Sequence, residues 1–236
     1  MAVENRLVEP RVPGRLSLET PAGRVDVRYR EEGGKVRSVR LSNVPSFLHS
    51  SGLRVNCPEL GGELSFDVAY GGNFYAIIEP QQHYADLSAL SAADIVHLSP
   101  LLRERINQRY TFSHPKDHRL SHMRHVMWTG KPQRADSDHR NAVFYGDAAI
   151  DRSPCGTGTS SRLAQLVARG ELAVGDSIVH ESYIGSRFTG YVEATTQVGD
   201  HPAIIPGIEG WARVYGHNQI TVDPQDDPFW QGFVVT

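Results

Sequence analysis

Apolar and polar residues alternate in short runs at 15–20, 23–30 and 36–44, separated by Pro21-Ala22-Gly23 and Gly33-Gly34. Period-two alternation broken by turn residues predicts a β-meander. Residues 63–70 alternate again, Gly71-Gly72-Asn73 interrupts, and 74–78 resumes as a strand. Between 91 and 110 the period changes. Ile95, Leu98, Leu101, Leu102 and Ile106 recur at three- and four-residue steps, which predicts an amphipathic helix, kinked or broken at Pro100. Residues 122–129 and 142–145 predict strands, and Leu163, Leu166 and Val167 form the apolar stripe of a second helix over 156–168. A turn-rich link at 171–176 leads to strands across 177–192 and 211–222, and 227–235 closes the chain. At the start, Ala2, Val3, Leu7 and Val8 fit helical spacing without an N-cap, the pattern of a helix end whose beginning is absent.

Many strands with two substantial helices, not in strict strand–helix alternation, argue against a doubly wound parallel sheet. The pattern predicts an α+β fold of mixed sheets wrapped on helices. Composition narrows the class further. The 236 residues carry a net charge of −3 with 39% hydrophobic and 22% charged residues, which excludes a disordered chain, a coiled coil and a collagen-like repeat. The near-neutral balance gives no electrostatic footprint for nucleic acid. No apolar run approaches the roughly 20 residues that cross a bilayer. The first residues lack the apolar core of a secretory signal, so a cytoplasmic location is expected.

The two cysteines, Cys57 and Cys155, are expected to be free thiols. Chemistry concentrates at Asp151-Arg152-Ser153-Pro154-Cys155-Gly156-Thr157-Gly158-Thr159-Ser160-Ser161, which opens the second helix. The glycines allow a ligand to approach the backbone, and the helix start presents unpaired amides with a partial positive charge. A carboxylate or phosphate fits the amides of Gly156 to Thr159, and the same dipole is expected to lower the Cys155 thiol pKa. Asp151 suits a ligand cation, or a turn. The glycines match neither a P-loop, which needs a following Lys, nor a dinucleotide fingerprint, whose third Gly is Ser161 here. Cys57, with no glycine loop or basic partner, reads as structural or at the surface. His118, His122 and His125 have metal-like spacing on a helix, but their segment reads as a strand, which sends 122 and 125 to opposite faces, so no metal is expected. His180, His201 and His217 read as structural or surface residues. Together these features suggest a zwitterionic ligand with a thiol beside its α-carbon. A thiol is a suitable acid/base there, but inversion needs a second group on the opposite face. From the residues alone, a cysteine hydrolase with Cys155 as nucleophile also stays open.

The Asp151 to Ser160 block closely resembles the signature of the proline racemase family. Segments at 69–78, 180–186, 207–213 and 227–233 are similar to family segments in the same order, and the 70–78 and 141–151 stretches are most like bacterial 4-hydroxyproline 2-epimerases. The resemblance covers the whole chain. It implies a diaminopimelate-epimerase-like fold of two mixed-sheet, central-helix halves, with residues 1–60, joined by 208–236, as a remnant of the first half and 61–207 as the second. It implies cofactor-independent, two-thiol epimerisation of trans-4-hydroxy-L-proline to cis-4-hydroxy-D-proline. Cys155 corresponds to the second thiol, and His125, Asp151, Gly156 and Thr157 to substrate contacts. The family's first thiol lies in a cysteine-glycine-histidine-glycine-threonine block before a helix resembling residues 2–8. The first half is therefore expected to be incomplete and this chain inactive by itself, with a different start, a separate N-terminal fragment or a homodimer completing it. An imino-acid-binding remnant without catalysis and a proline racemase are the alternatives.

Overall fold

The computed structural model describes residues 1–232; the last part of the expected closing segment, 233–235, lies outside the described residues. The chain forms β1 (Arg15–Thr20), β2 (Gly23–Glu32), β3 (Lys35–Ser42), β4 (Ser46–Cys57), β5 (Gly62–Tyr70), β6 (Phe74–Ile78), α1 (Ala92–Arg109), β7 (Ser113–His114), β8 (Asp117–Ser121), β9 (Met123–Gly130), β10 (His139–Tyr145), β11 (Ala149–Ile150), α2 (Gly156–Ala168), β12 (Ser177–Glu181), β13 (Arg187–Val198) and β14 (His201–Gly210).

The sheet is mixed and closes on itself. The ring runs β4-β5-β6-β9-β10-β12-β13-β14 and returns to β4, with parallel pairs at β6–β9 and β10–β12. β14 is forked. Its Ala203 and Ile204 pair with Phe47 and Ser46 of β4 to close the ring, while Gly207 to Gly210 pair with β3, so β1 to β3 continue outside it. The expected boundary between residues 60 and 61 falls between β4 and β5, which pair with each other from Phe47–Tyr70 to Cys57–Gly62.

Period two sorts the side chains of the ring wall. In β6, Phe74, Ala76 and Ile78 join the outer core, while Tyr75 and Ile77 face inward with Ala69, Met127 and Val143. Both faces of β6 are covered, so all five residues are buried. α1 packs on the outer face through Ile95, Leu98, Leu102 and Ile106, and Trp128 Nε1 of β9 donates to Ser99 Oγ at 2.9 Å. Ser91 and Asp94 form a capping box at its start. The helix continues through Pro100, where the sequence predicts a kink or a break, and no break occurs. Burial of the stripe on both sides of the proline outweighs one lost backbone bond. α2 fills the ring and is buried from Gly158 to Leu166. Midway along it Arg162 pairs with Glu79 at 2.8 Å, and at its far end Arg169 pairs with Asp67 at 2.7 Å.

Two expected elements are absent. Residues 2–8 form turns, with Leu7 N bonded to Ala2 O and Arg6 at φ 54°, and Leu7 is 78% exposed. A helix this short needs an apolar face to bury, and none is offered here. Residues 211–222 form no strand: β14 ends at Gly210 and Tyr215 is 93% exposed. Alternation without an adjacent sheet edge gives no ladder. Conversely, β4 carries no clean alternation, because bulges between Leu48 and Leu53 shift its register. Among the described residues, no helix is long and apolar enough to cross a membrane.

Candidate active site

Cys155 is the N-cap of α2, with φ 65° and ψ 119°. A non-glycine residue in this region costs about 1–3 kcal/mol and persists only where its surroundings impose it. Here the loop before it is tied from several sides. Asp151 Oδ1 accepts from Ser153 N at 2.8 Å and Ser153 Oγ at 2.9 Å, and Ser153 Oγ accepts from Cys155 N at 3.0 Å. Buried Asn141, on β10, donates to Pro154 O at 2.8 Å, and Thr159 Oγ1 donates to the same carbonyl at 3.2 Å. Thr159 in turn meets His180 Nδ1 at 3.0 Å. Ser186 Oγ donates to Arg152 O at 2.6 Å from a turn closed by Ser182 and Ser186.

The glycines explain how closely the wall approaches the helix. A Cβ on Gly71 would lie 2.6 Å from Ser161 N, and one on Gly158 2.9 Å from Met127 Cε and 3.2 Å from the Cys155 sulfur. Asn43 ties both sides, donating to Gly71 O at 3.1 Å and to Ser160 Oγ at 2.9 Å.

Around the sulfur, Gly158 N donates to Sγ at 3.4 Å, Tyr75 Oη lies 3.3 Å away, and Thr157 Oγ1 lies 3.7 Å away. Tyr75 Oη and Thr157 Oγ1 are 2.5 Å apart. The floor is apolar, made by Ala69, Ile77, Met127 and Val143. Although Cys155 keeps some exposed surface, burial pushes its thiol pKa up. Hydrogen bonds from Tyr75 and Gly158 oppose that rise, and the negative charge of Asp151 adds to it. The lowered thiol expected from the helix dipole is therefore corrected: desolvation outweighs the amides at this depth.

His125 lies on β9 with its ring tilted against Tyr75, centroids 5.0 Å apart. Burial, with the charges of Arg103 and Arg124, lowers its pKa to about 4, so the ring is neutral at pH 7. Its Nδ1 is buried without a hydrogen-bond partner among the described residues. His122 precedes β9 at φ 65°, and His118 on β8 bonds Ser113 on β7. The amides of Gly156 and Thr157 open the first turn of α2, where helix geometry supplies no partner, and a Cβ on Gly156 would meet nothing within 4 Å. Cys57 is elsewhere. It is buried in the outer core with its Sγ 3.7 Å from Glu59, which pairs with Arg105 of α1. His180 is fully buried.

Thus the structure brings Cys155, Asp151, Gly156 and Thr157 into one loop and helix start, with His125 reaching them through Tyr75. Tyr75, Asn141 and Ser186 were not singled out as site residues in the sequence. Period two in β6 was the available signal for Tyr75, since it places that ring on the face opposite Phe74 and Ala76.

A family model described as proline racemase matches residues 1–234. A 4-hydroxyproline epimerase of Brucella suis is 54% identical over 235 residues, spanning 100% of this chain and 70% of the relative. A 4-hydroxyproline 2-epimerase of Ancylobacter novellus has the same identity and coverage. Among solved structures, a hydroxyproline epimerase from Agrobacterium vitis with bound trans-4-hydroxy-L-proline superposes with a TM-score of 0.88 at 35% identity, covering 99% of this chain and 67% of that one. A PhzF-family protein of Bacillus anthracis shares the fold alone, with a TM-score of 0.52 at 16% identity.

Proposed function

We propose a function from one premise: this chain belongs to the proline racemase family, whose model spans residues 1–234, and it is an amino-acid epimerase or racemase by descent. Within that class it acts on 4-hydroxyproline, interconverting trans-4-hydroxy-L-proline and cis-4-hydroxy-D-proline by proton transfer at the α-carbon. The observation that carries this reading is the Cys155 thiol at the start of a buried helix, beside the amides of Gly156 and Thr157, in a chain 54% identical to proteins named for this epimerisation.

The geometry supports a role for each residue. The substrate carboxylate sits on the amides of Gly156 and Thr157, where helix-end amides favour an anion. Asp151 receives the ring ammonium. The Cys155 thiolate takes the α-proton: an S–H bond forms, the C–H bond breaks, and the electron pair spreads into the carboxylate held on the amides. His125, neutral at pH 7, forms part of the wall behind Tyr75. No step needs a cofactor.

Return of a proton to the opposite face needs a second acid/base. Cys57 is unsuited, because its sulfur lies in the outer core against Glu59. The second thiol of a two-thiol mechanism therefore comes from outside residues 1–236, and these residues alone support exchange on one face rather than net inversion. In the corresponding diaminopimelate-epimerase-like arrangement, the closed ring around α2 is one half, and β1 to β3 belong with the other.

The test is chiral chromatography of trans-4-hydroxy-L-proline incubated with the 236-residue chain in deuterated buffer, alone and with a segment carrying the relatives' cysteine-glycine-histidine block. Deuterium uptake without inversion by the chain alone, inversion with the segment, and loss of both in Cys155→Ala are expected. A missing acid/base group costs about 10²–10⁴-fold in rate. Full turnover by the Cys155→Ala chain would overturn the assignment, and tight substrate binding with no exchange would leave only a binding protein.

A further inference from the structure

Three heteroatoms form a closed triangle around the reactive sulfur: Cys155 Sγ to Tyr75 Oη at 3.3 Å, Tyr75 Oη to Thr157 Oγ1 at 2.5 Å, and Thr157 Oγ1 back to Sγ at 3.7 Å. Tyr75 is 1% exposed, on the inner face of β6 and under the His125 ring. A phenol so deep must have its O–H partnered, and its two partners here are the thiol and the threonine hydroxyl.

The distribution of protons in the triangle depends on the sulfur. A thiolate offers only acceptor capacity. Tyr75 then donates to Sγ, Thr157 donates to Tyr75 Oη, and the Gly158 amide completes the sulfur's shell. When Sγ carries a proton, the phenol no longer needs to point at it and can donate to Thr157 Oγ1 instead. Each hydroxyl keeps its own proton in both states: the Tyr75–Thr157 bond reverses direction, and Tyr75 gives up its donation to Sγ. Sulfur in an apolar pocket otherwise resists ionisation.

We propose that Tyr75 and Thr157 act together as a reversible hydroxyl pair that stabilises the Cys155 thiolate, with the Thr157 side chain serving the sulfur while its backbone serves the substrate. This deepens the reading of Cys155 as an acid/base and rests on it for its catalytic meaning. The geometry itself concerns only the thiol. The other charged or titratable groups facing this corner are Asp151 from the loop, His125 from β9, and Arg103 and Arg124 near His125.

The experiment is the pH dependence of iodoacetamide labelling at Cys155 in the whole chain, read by peptide mass spectrometry so that Cys57 is counted separately. Tyr75→Phe removes the donor while keeping the ring. The midpoint of labelling should rise by about one pH unit or more, as loss of a hydrogen bond to a charged group implies. Thr157→Val should raise it as well, and Thr157→Ser should restore the wild-type midpoint. Circular dichroism and melting confirm the fold of each variant, and the Thr157 pair carries the test should Tyr75→Phe melt. An unchanged or lowered midpoint in Tyr75→Phe or Thr157→Val would overturn the proposal. Because labelling needs no turnover, a raised midpoint in a chain that never exchanges the α-proton of hydroxyproline would retain the hydroxyl pair and remove the epimerase reading. Exchange with unmoved midpoints would do the reverse.

Discussion

His201, at the start of β14, stacks on His49 of β4 with ring centroids 5.4 Å apart, beside the two residue pairs that close the ring. Phe47 lies under His201 at 4.8 Å and under His114 at 5.7 Å, so three imidazoles share one aromatic cluster at the seam.

This cluster predicts acid lability. Burial lowers the pKa of His49 and His114, with the nearby His201 adding to each effect; burial also lowers His125 to about 4 and lowers His139. A histidine whose folded pKa lies below its ordinary value of 6.5 binds fewer protons in the folded state than in the unfolded one. Stability from these groups is present above pH 6.5 and is lost as the pH falls from there toward 4. Thermal melts at fixed ionic strength should show a falling midpoint between pH 7 and pH 5, with a shallower slope in His49→Gln. A flat profile would refute the role of the seam histidines.

The two thiols should differ in reactivity. Cys57 is fully buried, whereas Cys155 keeps partial exposure. Iodoacetamide should label Cys155 first. Because burial raises the thiol pKa, its rate should still be climbing at pH 8. Peptide mapping over time checks both the order and the trend.

Gly71→Ala should disturb the site from the opposite wall. The added methyl group meets the α2 backbone near Ser161 N, which cannot move without shifting the helix start. Overpacking of this kind costs about 1–3 kcal/mol or more. Urea denaturation should show a lower midpoint, and Cys155 labelling should change with it. A wild-type midpoint would mean that the turn can slide away from the helix.

Asn141→Ala should loosen the cysteine loop. Its amide bond to Pro154 O is buried, and removing it leaves Thr159 as the remaining donor described for that carbonyl. A loss of about 1–3 kcal/mol is expected from a partly unsatisfied buried carbonyl. Ser186→Ala, acting on Arg152 O from the more exposed side, should cost less, about 0.5–1.5 kcal/mol. Amide hydrogen exchange across 151–155 should quicken in both variants, and unchanged protection would count against the anchoring role.

The legible parts of the fold were those where local pattern and burial agree. β5 alternates, β6 is a short apolar run after a glycine turn, both lie in the wall, and α1 carries its stripe on one face. The Cys155 loop was legible because glycines, hydroxyl residues and a helix start coincide in a few residues. What escaped depends on distant partners. β4 breaks its own alternation with bulges, and only pairing with β5 and β14 makes it a strand. Residues 211–222 alternate without an edge to join. Tyr75 reaches Cys155 across eighty positions of sequence, so no local spacing reveals the contact. The thiol's raised pKa was hidden for a related reason: the helix dipole is visible in sequence, but the depth of the sulfur is set by the wall.

The position of α2 inside the ring imposes an order on assembly. A rod surrounded by its own sheet cannot be threaded in after the ring has closed, so the last joint made must be one that leaves a way in. The two-pair seam between β4 and β14 is such a joint, short and formed by segments distant along the chain. Emerging from the ribosome in sequence order, α2 is available before β14. β14, the last strand of the ring in chain order, lies over α2 and serves as the clasp at that seam.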